Sequence, residues 1–352
     1  MDSPLPVMIL LLALASGAAA LWLTPREEEP QIVVPIADVI VRTPGLSAQQ
    51  VERQVAVPLE KLLHQIDGVE YVYSTSRNGG CVVTVRYYVG EDREESLFKI
   101  YNKVFSNADQ IPAAVESWVV KPNEVDDVPI VVAALWSEDP EQFDAHDLRR
   151  LGEEIEQELQ SITATNRVSV SGGQPRQIRI ELDADALAAR QTAALDVAWA
   201  IQVSNRQVPA GAIIERNESI AIEAGTFFTD AADVREMIVN VVNGVPVKLG
   251  DVARVIDGPA EPDNYAWIAF GPAAAGPVDQ GTTYPAVYIA VAKQKGSNAV
   301  WVARDVRERL AALERDVFPP GVHVSIIRDY GETADQKVND LVSSLGVAVL
   351  TV

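Results

Sequence analysis

The sequence predicts an α+β fold built from two similar halves, and three observations predict it. Leu59 to Tyr87 reads helix, strand, Gly79-Gly80, strand, and Ile155 to Leu182 repeats that order around Gly172-Gly173. Each half also holds a second helix-and-strand pair, one after Gly90 and one after Gly296. Finally, a long mixed interval parts Leu182 from the strand at Ala286, so the second half carries an insertion.

Taken in order, Val7 to Leu23 is an apolar run of about 17 residues, which at helical rise spans roughly 25 Å, the lower limit for a bilayer. Ala18-Ala19-Ala20 also offers a small-residue cleavage site, but the basic start of a secretory signal is missing. Pro25 cannot continue a helix, and Arg26-Glu27-Glu28-Glu29 reads as a hydrated break. A β-branched strand follows from Ile32 to Val41, then the turn Thr43-Pro44-Gly45. Ser47 and Gln50 have capping-box spacing ahead of a helical stripe at Val51, Val55, Leu59 and Leu62.

The helix after Gly90 places Leu97, Ile100, Tyr101, Val104, Phe105 and Ala108 on one face, before Pro112 and a strand around Trp118. Its counterpart after Gly296 carries Val302, Val306, Leu310 and Leu313, before Pro319-Pro320 and a strand at Val322 to Ile327. Such β-α-β units lay helices on one face of a mostly antiparallel four-stranded sheet, the ferredoxin-like arrangement, twice over.

The insertion opens with Asp183 to Asn205, mostly helical, with Thr192 as a candidate N-cap. Ile213 to Phe228 is β-rich, Asn243-Gly244 suits a hairpin before Val245 to Val255, and a short strand is expected at Tyr265 to Phe270. At the end, Glu332 to Val352 has Val338, Leu341, Val342, Leu345 and Val349 at helical spacing and becomes wholly apolar from Leu345. That pattern is expected of a transmembrane helix cut short in a fragment of a longer protein.

Composition excludes several functions. A formal charge of −21 repels phosphate backbones, and no basic cluster with interleaved aromatics offsets it. The single Cys81 rules out an internal disulfide and, lacking a local base at a strand start, reads as a structural thiol. His64, His146 and His323 lie in different elements without metal-ligand spacing, and His64 reads as a helix-end residue. Asp126-Asp127 and Glu27 to Glu29 read as solvated turn charge. With no phosphate-binding glycine loop and no catalytic constellation, the expectation is a non-enzyme with no cofactor and no metal.

Several separated motifs resemble the start of the resistance-nodulation-division (RND) efflux pumps. They are Pro25 to Gln31, Pro44-Gly45, the helix residues Val51, Val55, Pro58, Leu59 and Glu60, and the distant segment Val245 to Val255 with Asp251-Val252-Ala253. The resemblance implies a transmembrane helix at 7–24, a first porter subdomain at 32–127, a second at 128–182 plus 264–330, an inserted docking subdomain at 183–263, and the start of a second transmembrane helix at 332–352.

It further implies the N-terminal part of a proton-driven inner-membrane permease, its bulk periplasmic, exporting hydrophobic or amphiphilic compounds. Partners so implied are two further copies in a homotrimer, a periplasmic adaptor and an outer-membrane channel. The segment Val208 to Thr226 is short for the arm that some members thread into a neighbour. Leu135, Trp136, Ser171 and Trp267 are similar in position to residues that line a substrate pocket, although an aromatic on a strand is more often core. Two alternatives stay open: a membrane-tethered periplasmic binding or assembly module, and the heavy-metal branch of the same superfamily, against which the three methionines Met1, Met8 and Met237 argue weakly.

Overall fold

The computed structural model describes residues 5–28, 34–123, 127–215, 218–272, 274 and 281–351. It is α+β with several antiparallel sheets, and its chain divides into two compact units: Met1–Trp136 with Gly152–Val170 and Tyr288–Val352, and Ser137–Leu151 with Ser171–Val287.

In the first unit, helix α1 (Leu5–Leu23) exposes every side chain described in it. After it comes the segment read as a hydrated break, and here the structure differs. Arg26 reaches Asp335 at 2.5 Å, Glu27 reaches Lys293 at 2.8 Å, and Glu28 reaches Lys337 at 2.9 Å. These charges are half-buried in ion pairs because each meets an opposite charge from the far end of the chain, which sequence proximity cannot reveal. Glu29 lies outside the described residues, as does Asp126, while Asp127 faces Arg167 at 3.9 Å.

Strand β1 (Ile36–Arg42) alternates inward Ala37, Val39 and Val41, shorter than the Ile32 to Val41 expected, whose first two residues fall outside the description. The helix behind it is broken into α2 (Ala48–Val51), a π-helical turn at Glu52–Ala56, and α3 (Val57–Leu63). Gln50 Oε1 accepts from the Ser47 amide at 3.0 Å, the reciprocal half of the expected capping box. The Ser47 hydroxyl donates to that same oxygen at 2.9 Å. Pro58 explains the π turn, since it has no N–H for the Gln54 carbonyl and its ring would press on that carbonyl; instead the Val57 amide reaches Glu52. The wider turn moves the stripe on by one position, so Leu63 is fully buried and the expected Leu62 only half so.

Strands β2 (Val69–Arg77) and β3 (Gly80–Tyr87) meet at a tight turn where Gly79 takes φ +83°. Gly80 admits no side chain: a Cβ there would lie 2.4 Å from the Val41 carbonyl oxygen. Helix α4 (Arg93–Ser106) starts at Asp92, whose carboxylate accepts from the Glu95 amide at 2.8 Å, and β4 (Ser117–Asn123) closes the unit's first sheet. The order is β2-β3-β1-β4, all antiparallel, with Val39 between Val83 and Val120. Ile100 and Val104 seal α4 against it, whereas Tyr101 and Phe105 from the expected face stand exposed at its margin.

The second half begins with β5 (Pro129–Ser137), α5 (Ala145–Gln160) and β6 (Thr165–Ser171). The strand after Gly172-Gly173, β7 (Arg176–Leu182), does not extend that sheet. It pairs with a distant strand of the insertion, which also holds α6 (Ala184–Ala189), α7 (Ala194–Ser204), the hairpin β8 (Val208–Glu215) and β9 (Glu218–Ala224), α8 (Ala231–Glu236), and the hairpin β10 (Ile238–Val242) and β11 (Val245–Lys248). Its partner is β12 (Ala253–Pro259), antiparallel with Val255 opposite Ile180.

Asn243 and Gly244 both take positive φ, +51° and +79°, as a type I′ hairpin turn requires. Thr192 is not the N-cap of α7. The cap is Ala193, whose amide is held by Asp196 at 2.8 Å, while the buried Thr192 hydroxyl donates to the Arg190 carbonyl at 3.0 Å. Strand β13 (Trp267–Ala269) pairs with the first residues of β14 (Thr283–Lys293). Later residues of β14 return to the first unit, where β14 sits between β6 and β5, with β15 (Val322–Asp329) on the far side of β5.

Helix α9 (Ala299–Asp316) is capped by Asn298 and buries Val302, Val306, Leu310 and Leu313, the four residues the spacing picks out. Helix α10 (Tyr330–Thr351) follows β15 directly and leaves Leu341, Leu345, Val347 and Val349 exposed. Among the described residues no helix is long and apolar enough to cross a membrane. The spans expected at 7–24 and 332–352 are therefore not observed as such: α1 is described only in part, and α10 carries Glu332, Asp335, Lys337 and Asp340 through its first half.

Candidate functional site

Of the four residues singled out for ligand contact, the structure buries two and exposes two. Leu135 and Trp136 end β5 in the core of the first unit, 0% and 3% exposed. Trp136 Nε1 donates to Ser325 Oγ at 3.0 Å, and its ring lies 5.0 Å from that of His323. β5 is a central strand buried along its last five residues, so neither side chain is open to a ligand in this structure.

Ser171 and Trp267 belong to the second unit, and both are exposed. They come together through glycine. Gly172 takes φ +84° and packs so closely that a Cβ on it would lie 2.7 Å from Ala266 Cβ, one residue before Trp267. Gly173, at φ +66°, would place a Cβ 2.4 Å from the Ala145 carbonyl oxygen and 2.8 Å from Arg149 Cβ. Arg149 then donates to the Gly172 carbonyl at 3.1 Å, and His146 Nδ1 lies 2.8 Å from the Gln174 carbonyl. Two adjacent left-handed glycines thus fold the Ser171 turn against the Trp267 strand.

Beside that turn stands an aromatic platform that the sequence reading overlooked in part. Tyr265 and Trp267 stack with ring centroids 5.7 Å apart and planes 6° from parallel, 66% and 56% exposed. Their i, i+2 spacing on an extended segment is the signal that could have paired them. Below, Arg176 grips Asp257 in two bonds of 2.8 and 2.6 Å, tying β7 to β12 and holding the Asp257 carboxyl below its ordinary 3.8. Two exposed, stacked rings can take up hydrophobic ring systems by burial, without bond chemistry.

The residues passed over for catalysis keep structural places. Cys81 is 1% exposed in the first unit's core, and burial, with a smaller contribution from Glu60, pushes its thiol up and away from reactivity. His64 caps the end of α3, and His323 lies 3.5 Å from Glu314. Among the described residues no group of three or more His, Cys, Asp or Glu side chains could hold a metal ion.

Comparison with known proteins gives a family and a set of named relatives. A family model described as the AcrB/AcrD/AcrF family matches residues 3–352. The multidrug resistance protein MdtC of Edwardsiella ictaluri is 27% identical over 350 residues, covering 97% of this chain and 32% of that protein. MdtC of Proteus mirabilis is 27% identical over 348 residues with the same coverage, and MdtC of Yersinia enterocolitica is 26% identical over 352 residues, 99% of this chain and 33% of that one. The chain thus spans about one third of the length of the curated relatives it matches.

Proposed function

The chain belongs to the AcrB/AcrD/AcrF family, and from that premise we propose that it forms part of a multidrug efflux permease of the RND type, one that exports hydrophobic or amphiphilic compounds. The observation that carries this reading is the alignment of proteins named for multidrug resistance over 97–99% of the chain, through both end helices and everything between. Transport of this kind moves domains around a loosely held ligand and makes no bonds, which agrees with a surface offering aromatic rings instead of a reactive centre.

In this reading α1 lies in the inner membrane, supported by its exposed apolar side chains Met8, Ile9, Leu11, Leu12 and Leu21, and the apolar end of α10 enters the same bilayer. Residues 32–127 form a first porter subdomain, and 128–182 with 264–330 a second. The strand order β2-β3-β1-β4, with its counterpart β6-β14-β5-β15, supports a ferredoxin-like layout for both. The interval 183–263 is the docking insertion, and the bulk of the chain is periplasmic. Drive comes from the proton gradient, and partners are two further copies, a periplasmic adaptor and an outer-membrane channel.

Trp267, Tyr265 and Ser171 form the accessible part of the ligand surface, and Leu135 and Trp136 join it only when the pump changes state. The test is drug susceptibility: the full-length gene product in an efflux-deficient strain should raise the inhibitory concentration of hydrophobic dyes severalfold. Membrane-inserted protein that raises it for no hydrophobic compound would sink the reading.

A further inference from the structure

The first unit contains a second apolar site, unrelated to the platform around Trp267. A cavity of about 120 Å³ lies between the sheet, the π-helical turn, α4 and the connection to β4. Val39, Val41, Val55, Leu59, Val104 and Trp118 line it. The size is close to that of engineered apolar cavities, about 150 Å³, which stay dry and take up benzene or xenon.

Water is a poor occupant here. A buried water needs two to four polar partners, and two of the three polar residues in the lining bond within the protein. Gln110 Nε2 donates to Asn107 Oδ1 at 3.0 Å, and Asn107 Nδ2 donates to the Lys103 carbonyl at 2.7 Å. The floor and walls are aliphatic apart from Trp118, which offers an aromatic face. Exposed Gln54, Pro58 and Gln110 at the rim leave a way in from solvent.

A second observation points to the same place. The π-helical turn Glu52–Ala56 supplies Gln54 and Val55 to the lining, and Pro58, which forces the turn, supplies part of the rim. Such turns lengthen a helix by one residue locally and occur frequently at functional sites. Here the extra residue rotates Leu59 and Leu62 out of the close-packed core and onto the cavity wall, so the space is held open by backbone geometry.

We infer that this cavity is a binding site for a small apolar molecule of one six-membered ring, such as a monocyclic aromatic hydrocarbon. The inference rests on the cavity alone and holds whether or not the chain serves in efflux. Its test is a toluene titration of the full 352-residue chain in detergent, with valine, leucine and isoleucine methyl groups labelled for carbon-13 NMR. Saturable shifts confined to the methyl groups lining the cavity, among them Val39, Val41, Val55, Leu59, Val104 and Val115, are expected, half complete at about 1 mM or below. Val115→Phe places a ring in the same space and should abolish them. Should that variant fail to fold, Leu59→Trp fills the cavity from α3. Shifts that are spread over the chain without saturating, or that persist unchanged in a folded, filled variant, would overturn the assignment.

Discussion

Lys293 Nζ lies 2.8 Å from Glu27 Oε1, joining residues 266 positions apart, and their side chains are only 7% and 18% exposed. Around this pair, Arg26 holds Asp335 and Glu28 holds Lys337 and Thr333, while the Ala299 amide donates to the Arg26 carbonyl at 3.0 Å. The short segment after α1 is thus fastened at once to β14, α9 and α10. Lys293→Met leaves Glu27 without its partner in a nearly dry place, and should cost about 2–4 kcal/mol. The double change Lys293→Met with Glu27→Leu should recover most of that loss. Denaturant midpoints of the single and double variants check both expectations.

Glu28 gives this junction a pH dependence. The hydrogen bond from Lys337, then that from Thr333, holds its carboxyl below the ordinary 4.5. A carboxylate with a lowered folded value contributes its full stability above the unfolded value and loses it as pH falls through the folded one. Melting temperature should therefore drop below about pH 4.5 more steeply in the wild type than in Glu28→Gln. Equal slopes in the two proteins would show that Glu28 does not contribute.

Two glycine turns with similar backbone angles should respond differently to a methyl group. Gly79→Ala meets nothing within 4 Å, so only its φ of +83° is penalised, at about 1 kcal/mol. Gly173→Ala adds a clash with the Ala145 carbonyl oxygen at 2.4 Å to a φ of +66°, and should cost about 3 kcal/mol or more. Comparing the two unfolding midpoints separates conformational strain from steric exclusion.

The four candidate pocket residues divide by mechanism. Leu135→Ala removes a fully buried side chain and should lower stability by about 2–5 kcal/mol, with any transport defect tracking the amount of folded protein. Trp267→Ala removes an exposed ring and should change stability by no more than about 0.5 kcal/mol. Its effect should instead fall on the spectrum of compounds tolerated by cells carrying the full-length permease. Unchanged susceptibility at equal membrane abundance would exclude Trp267 from the ligand surface.

What could be read from the chain alone followed from local rules. The Asn243-Gly244 hairpin, the Asn298-capped helix with its Val302, Val306, Leu310, Leu313 stripe, and the halves' matching helices all rest on patterns a few residues long. Where the reading failed, long-range partners decided. β7 leaves its neighbour β6 because β12 offers seven paired residues more than seventy positions away, and no periodicity records that choice. Glu27 and Glu28 read as hydrated only until Lys293 and Lys337 are seen beside them. The π turn was legible in principle, since Pro58 sits mid-helix, but its result, Leu63 inward in place of Leu62, needs the backbone. At the candidate site, the resemblance named Trp136 and Trp267 together, and residue type could not tell the buried ring from the exposed one.

Among the described residues the β8–β9 hairpin pairs only with itself, and every side chain of β9 faces solvent, as do Ile213 and Ile214 on β8. A two-stranded ribbon of this kind has little of its own to keep it closed. Its amide protons should therefore trade with deuterium long before those of β1 or β14, and a cut between the strands should leave the rest of the chain intact.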